Sequence, residues 1–226
     1  MGSSLTLVCP VRPGDRNEPL RFSLRSVDAH LPDARVVLAG HMPSWVTGVE
    51  HIPVPQPRQG RENVLRILRE VCAHPAVPDE WVLLNDDFFA MTPGAPIPLV
   101  HRGTLAELAA SWRGPWYSRA LARTREILDQ RGVADPLAYD RVHCPMPVTT
   151  EIMRQALEGV GDGPVLHRSL YGNAVGGGTL GVDVKVRTPR EAMPTEGWVS
   201  FNDWSWAHRP GRTIRRMFPR KSRYER

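Results

Sequence analysis

Asn85, Asp86 and Asp87 interrupt an otherwise apolar segment, with Trp81-Val-Leu-Leu84 before them and Phe88-Phe89 after. A short apolar run is the pattern of a buried strand. Acids at the end of such a strand lie where open α/β sheets bind ligands, in the crevice beyond the strand tips. Neighbouring carboxylates repel each other and invite a divalent cation, and hard oxygen donors suit Mg2+ or Mn2+. A cation there would neutralise the diphosphate of a nucleotide donor. The competing reading is a plain turn, because Asn and Asp favour turns and satisfy backbone donors within them. Residues two apart share a face in extended chain. Asn85 and Asp87 are therefore expected to point together, with Asp86 opposite. Asp87 is the expected metal ligand, and Asp86 a second ligand or an orienter of the first.

Other groups could complete a site. Arg12, Arg16, Arg21 and Arg25 cluster around the first loop and helix. Arg21 and Arg25 are one helical turn apart and share a face. They serve either as solvated surface charge or, with Asn85, as a clamp on donor phosphates that stabilises a leaving group. His143 is either a hydrogen-bonded loop residue or, with an ordinary pKa near 6.5, a general base or acceptor-positioning group. Phe201-Asn202-Asp203-Trp204 repeats the earlier order of apolar strand, Asn-Asp and aromatic. That makes Asp203 a rival base or second acidic group. Asn202, Arg215 and Arg216 are the expected acceptor contacts.

These residues need elements to carry them. Apolar runs at residues 5–9, 35–39, 52–54 and 81–84 read as strands. Residues 19–30 and 61–74 carry apolar positions at helical spacing, the first with Pro19 in its opening turn, where proline is tolerated. This alternation predicts an α/β domain with a largely parallel central sheet. Further helices are expected over 105–112, 119–131 and 147–158, and strands over 182–186 and 198–201. Residues 1–208 read as a single domain, 1–90 being its nucleotide-binding half and 91–208 its acceptor half. Residues 209–226 read as a basic tail, since seven arginines and lysines follow Arg209 against Glu225 alone.

Composition sets the bounds. The chain has 226 residues, 41% hydrophobic and 23% charged, as in a soluble globular protein. No apolar stretch is long enough to span a bilayer, and the N-terminus lacks a signal-like pattern, so a cytoplasmic location without integral membrane contact is expected. The formal charge is +5, and Lys185 and Lys221 are the only lysines. Arginine enrichment reflects either a GC-rich genome or phosphate recognition. Three scattered cysteines give neither a disulfide framework nor a zinc motif.

Three segments carry a family resemblance: Glu18-Pro-Leu-Arg21-Phe-Ser-Leu-Arg25-Ser26-Val27, then Met42-Pro-Ser-Trp45, then Leu83-Leu-Asn85-Asp86-Asp87-Phe88-Phe89. In order and spacing they resemble the Stealth proteins, sugar-phosphate transferases of capsule synthesis related to the lysosomal-enzyme N-acetylglucosamine-1-phosphotransferase. His143-Cys-Pro145 and Phe201-Asn202-Asp203 are similar to two later motifs of that family. After the first strand the chain departs from it, with Cys9-Pro-Val-Arg-Pro-Gly-Asp15 in place of the usual aromatic-rich stretch. The resemblance implies a glycosyltransferase-A-like nucleotide-sugar fold, a metal held by Asp86 and Asp87, and a catalytic role for His143. The activity it implies is transfer of a sugar or sugar-phosphate from a nucleoside-diphosphate sugar, with uridine the expected base, to a hydroxyl on a glycan or a modified DNA base. The rival expectation is a nucleic-acid-binding module with a degenerate site.

Overall fold

The computed structural model describes residues 5–57, 63–111 and 114–226. Strands β1 (Thr6–Val11), β2 (Arg35–Gly40), β3 (Glu50–Pro53), β4 (Glu80–Leu83) and β7 (Met146–Thr149) form the central sheet in the order β3-β2-β1-β4-β7. The first four run parallel, and β7 is antiparallel to β4. The fold is therefore α/β with a mostly parallel sheet, as the alternation of strands and helices requires. Strand side chains alternate between two cores. Val8, Val37, Trp81 and Leu83 enter one, and Leu7, Cys9, Val36, Leu38, Val82 and Leu84 the other. No helix among the described residues is long and apolar enough to cross a membrane.

Helices α1 (Glu18–His30) and α2 (Val64–Ala73) match the expected pair, although Arg61, proposed as the start of the second, lies outside the described residues. The same holds for Trp112, beyond the end of α3 (Leu105–Ser111). Helix α4 (Pro115–Gln130) begins earlier than expected, at Pro115, which the first turn accommodates. The expected helix over 147–158 is a strand followed by a shorter helix, β7 and then α5 (Thr150–Leu157). The reason is tertiary: Val148 pairs with Trp81, so sheet extension overrides the local pattern.

A second sheet of β5 (Phe88–Ala90), β10 (Trp198–Phe201) and β9 (Lys185–Val186) adjoins the first in the order β5-β10-β9. A parallel pair, β6 (Val100–His101) with β8 (Thr179–Leu180), completes the strands. Two buried serines of α1, at i and i+3, tie that helix to β5: Ser23 Oγ donates to Phe88 O at 2.6 Å, and Ser26 Oγ accepts from Ala90 N at 3.0 Å.

Three helices had no counterpart in the sequence reading: α6 (His167–Val175), α7 (Asp203–Ala207) and α8 (Arg209–Met217). The segment 209–226, read as a tail, is folded. Ile214 and Phe218 are buried with Phe22, Phe89 and Trp206, and Tyr224 packs into the core that holds β1 and α1. Glu225 forms an isolated bridge with Val46. The apolar residues are too widely spaced to outweigh the arginines between them in a sequence pattern, yet Ile214, Phe218 and Tyr224 are buried.

Candidate functional site

The sheet order places β1 between β2 and β4, and in open α/β sheets ligands bind beyond the C-terminal tips of such strands. The acidic segment lies there. It has left the strand: Phe88 N donates to Asn85 O at 3.3 Å, closing a turn. The expected alternation of faces therefore fails, because it holds only in extended chain. The three side chains fan out to three different segments.

Asn85 Oδ1 accepts from Arg168 Nη2 of α6 at 3.1 Å, and Arg168 Nη1 donates to Cys144 O at 2.8 Å. Arg168 is 6% exposed. Burial pulls its pKa down from a very high ordinary value. Asp86 Oδ2 accepts from Asn17 Nδ2 at 3.0 Å, and the same Asn17 caps α1 by accepting from Leu20 N at 3.3 Å. The positive end of α1 is thereby fixed beside a carboxylate. Arg12 Nε lies 3.9 Å from Asp86 on the solvent side. Burial, and then repulsion from Asp87, push the Asp86 carboxyl above its usual range, against the pull of Asn17, Arg12 and Lys185.

Asp87 Oδ2 accepts from Lys185 Nζ of β9 at 2.9 Å and from Ser200 Oγ of β10 at 2.8 Å. His143 lies in the connection ahead of β7 with φ +49°, a left-handed conformation uncommon outside glycine. Its Nδ1 lies 2.8 Å from Asp183 Oδ1. Burial lowers the His143 pKa, and its hydrogen bond to Asp183 only partly offsets this, which favours the neutral ring. Burial opposes ionisation of Asp183 as well. The hydrogen bond and charge of His143 and the hydrogen bond from Arg187 outweigh it and hold Asp183 at about 2. The Cys144 thiol is pushed up by burial, which leaves it protonated and unreactive.

The other expected residues divide. Arg16 is exposed. Arg25 is corrected from a donor ligand to a structural residue: its Nε and Nη2 donate to Glu225 at 2.7 and 2.9 Å. It sits eight residues into α1 from the Asn17 cap, about 12 Å along the axis at 1.5 Å per residue, and so beyond reach of the strand tips. Arg21 stacks over Trp45 at 4.6 Å and lies 3.6 Å from Glu225, so the shared face of Arg21 and Arg25 serves the C-terminus. Arg215 binds Glu18 through Nε and Nη2 at 3.0 and 2.6 Å and is likewise committed, whereas Arg216 is exposed on α8. Asn202 caps α7 by accepting from Ser205 N at 2.8 Å. Asp203 opens that helix and faces solvent, and no hydrogen bond or ion pair joins it to Asp86, Asp87 or His143 among the described residues.

Six participants were not expected from the sequence: Asn17, Arg168, Asp183, Lys185, Arg187 and Ser200. Three of them had a visible signal. Asp183-Val-Lys185-Val-Arg187 alternates charged and apolar residues with the period of a strand.

No group of three or more His, Cys, Asp or Glu side chains among the described residues converges as a cage for a metal. The donors nevertheless suit Mg2+ or Mn2+, which are commonly held by one or two carboxylates together with substrate phosphates and water. Among the described residues, the hydrogen bonds to Asp86 and Asp87 fall on Oδ2 of each, leaving Oδ1 of each available.

No protein-family model and no curated protein sequence matches the chain. Among solved structures, the chain aligns with the galactosyltransferase LgtC in complex with donor and acceptor sugar analogs. That alignment has a TM-score of 0.48 and 12% identity over 87% of each chain. It also aligns with glucosyl-3-phosphoglycerate synthase from Mycobacterium tuberculosis in complex with Mn2+, uridine diphosphate and glucosyl-3-phosphoglycerate. There the TM-score is 0.37 and the identity 17%, over 75% of this chain and 64% of that one.

Proposed function

We propose that this chain is a metal-dependent transferase of glycosyltransferase-A-like architecture. It moves a sugar or sugar-phosphate from a nucleoside-diphosphate sugar, with uridine the favoured base, to an acceptor hydroxyl. One observation carries the reading: the acidic turn sits at the C-terminal end of β4, beside β1, ringed by Arg12, Arg168, Lys185 and the N-terminus of α1. Two carboxylates for a cation, surrounded by cationic groups for phosphate, suit a substrate carrying a diphosphate.

Asp86 and Asp87 would hold Mg2+ or Mn2+, which when bound supplies charge stabilisation to the diphosphate leaving group. Asn17 fixes Asp86, and Arg168 fixes Asn85 and the strand end. Arg12, exposed at the rim, is the phosphate contact among the four arginines first considered. His143, neutral and oriented by Asp183 through Nδ1, accepts the acceptor's proton at Nε2. A glycan hydroxyl is the favoured acceptor. The second reading, a nucleic-acid partner, rests on Arg209, Arg212, Arg216 and Arg220, all exposed on or just beyond α8.

The test is release of nucleoside diphosphate from a panel of nucleotide sugars with Mn2+. The expected result is turnover that chelator abolishes and that Asp87→Asn lowers by at least ~10²-fold, the scale of a lost charge-stabilising group. Undiminished turnover in chelator refutes the metal. Absence of both turnover and nucleotide binding, alongside salt-dependent binding to duplex DNA, favours the second reading.

A further inference from the structure

Lys185 is one of two lysines in a chain that otherwise uses arginine for positive charge. Its Nζ lies 2.9 Å from Asp87 Oδ2, and the two side chains are only 19% and 20% exposed. Ser200, its register partner across the β9–β10 pairing, donates to the same oxygen at 2.8 Å. The strand is fixed on both sides: Lys185 N donates to Asp183 Oδ1 at 3.1 Å, and Lys185 O accepts from Arg187 Nη1 at 3.0 Å. The ammonium's charge also reaches Asp86 and His143. An arginine could grip a carboxylate with both arms of its fork. An ammonium is a compact point charge on a flexible stem, which can leave one oxygen for another with little rearrangement.

We infer that Lys185 is the resident counter-cation of the acidic turn: it holds Asp87 before substrate arrives, opposes a divalent ion there, and moves to the donor's diphosphate when nucleotide enters. The inference rests on the reading of Asp86 and Asp87 as metal ligands. A dication placed on Asp87 beside the Lys185 ammonium meets like-charge repulsion, which is strong in a site so largely closed to water. A diphosphate supplies the negative charge that removes this repulsion. Metal and nucleotide must then bind cooperatively, each raising the affinity of the other by the same factor.

The experiment measures Mn2+ binding to the intact chain by the electron paramagnetic resonance signal of the free ion, with and without uridine diphosphate. Wild type is expected to bind Mn2+ weakly alone and about tenfold or more tightly with the nucleotide. Lys185→Met should bind Mn2+ alone about tenfold more tightly than wild type and lose most of the nucleotide's enhancement, whereas Lys185→Arg, which keeps the charge, should retain the wild-type weakness. Lys185→Gln supplies a second neutral variant if the methionine form does not fold. Unchanged or weaker Mn2+ binding in the folded neutral variants overturns the inference. Asp87→Asn separates the two ideas: if Mn2+ binding does not depend on Asp87, the metal reading itself has failed. If it does depend on Asp87 but ignores Lys185, only the counter-cation role has failed.

Discussion

Arg25→Ala separates a structural arginine from a substrate-binding one. Arg25 sits under the C-terminus with its side chain 11% exposed, against a Glu225 side chain 3% exposed. It makes two charge-assisted bonds to that carboxylate, and its Nη1 also donates to Phe218 O at 3.1 Å and Pro219 O at 3.4 Å. Removing one partner of a buried ion pair costs about 3–5 kcal/mol, because the other charge is left without compensation. Glu225 keeps Ser222, whose N and Oγ donate at 3.0 and 3.3 Å, and Arg21 at 3.6 Å, so the low end applies, about 3 kcal/mol. For a domain of this size that is a fall in Tm of roughly 6–12 °C. Arg25→Lys should recover less than half of it, since an ammonium cannot reproduce the fork. Burial works against ionisation of Glu225, but the Arg25 hydrogen bond outweighs it and lowers the pKa. The stabilisation is thus complete above the ordinary carboxylate range and disappears as pH falls through the lowered value, so the wild-type and Arg25→Ala melting curves should converge on acidification. Thermal melts from pH 7 downward, with nucleotide calorimetry on the folded variant, make the test. A loss below about 1 kcal/mol together with impaired nucleotide binding would refute the structural assignment and restore Arg25 to the donor site.

Two further outcomes are expected. Asp183→Asn removes the acceptor that orients His143 and should lower turnover by about 10²-fold, at the low end for a general base, with donor KM nearly unchanged. The groups facing His143 are Asp183, Lys185 and Asp87. Of these Asp183 raises its pKa most, so losing Asp183 should move the acidic limb of the pH–rate profile to lower pH, and a limb that stays fixed counts against His143 as the base. Gly211→Ala should destabilise by about 2–3 kcal/mol in thermal melts, because a Cβ there would lie 1.9 Å from Trp206 O, a backbone atom that cannot step aside; a neutral result would mean that α7 and α8 do not pack as described.

The segment up to β4 was legible because local pattern and tertiary role agree there. Val8, Val37 and Leu83 alternate as strand residues should, and Leu20, Leu24 and Val27 follow the helical repeat. The rest of the chain, from β5 onward, was less legible because its elements depend on neighbours. β5 is three residues long and exists through its pairing with β10; β7 exists through β4. The folded C-terminus was hidden by charge. Its arginines dominate composition, while the residues that anchor it, Ile214, Phe218 and Tyr224, are few and widely spaced. The site divides in the same way. The Asn85–Asp87 segment was visible, but the groups that bind it come from 69, 83 and 98 residues away, at Asn17, Arg168 and Lys185, and no local pattern encodes those distances.

One part of the site was nonetheless written in the sequence and could have been read. A strand that alternates charged and apolar residues ordinarily turns its charged face to water. In Asp183-Val-Lys185-Val-Arg187 the charged side chains are enclosed along with the apolar ones: those of Asp183 and Lys185 are 9% and 19% exposed, and Val186 is 2% exposed. Burying charge is costly unless each group finds a partner. Here each does, Asp183 with His143 and Arg187, and Lys185 with Asp87. A segment that encloses its charges in this way is stable only if partners wait for them. The acid Asp87 in the turn after β4 and the histidine ahead of β7, which donates to Asp183, are two of those partners. The alternation at 183–187 and the acidic turn at 85–87 are therefore two halves of one arrangement, joined by the pair of Lys185 and Asp87.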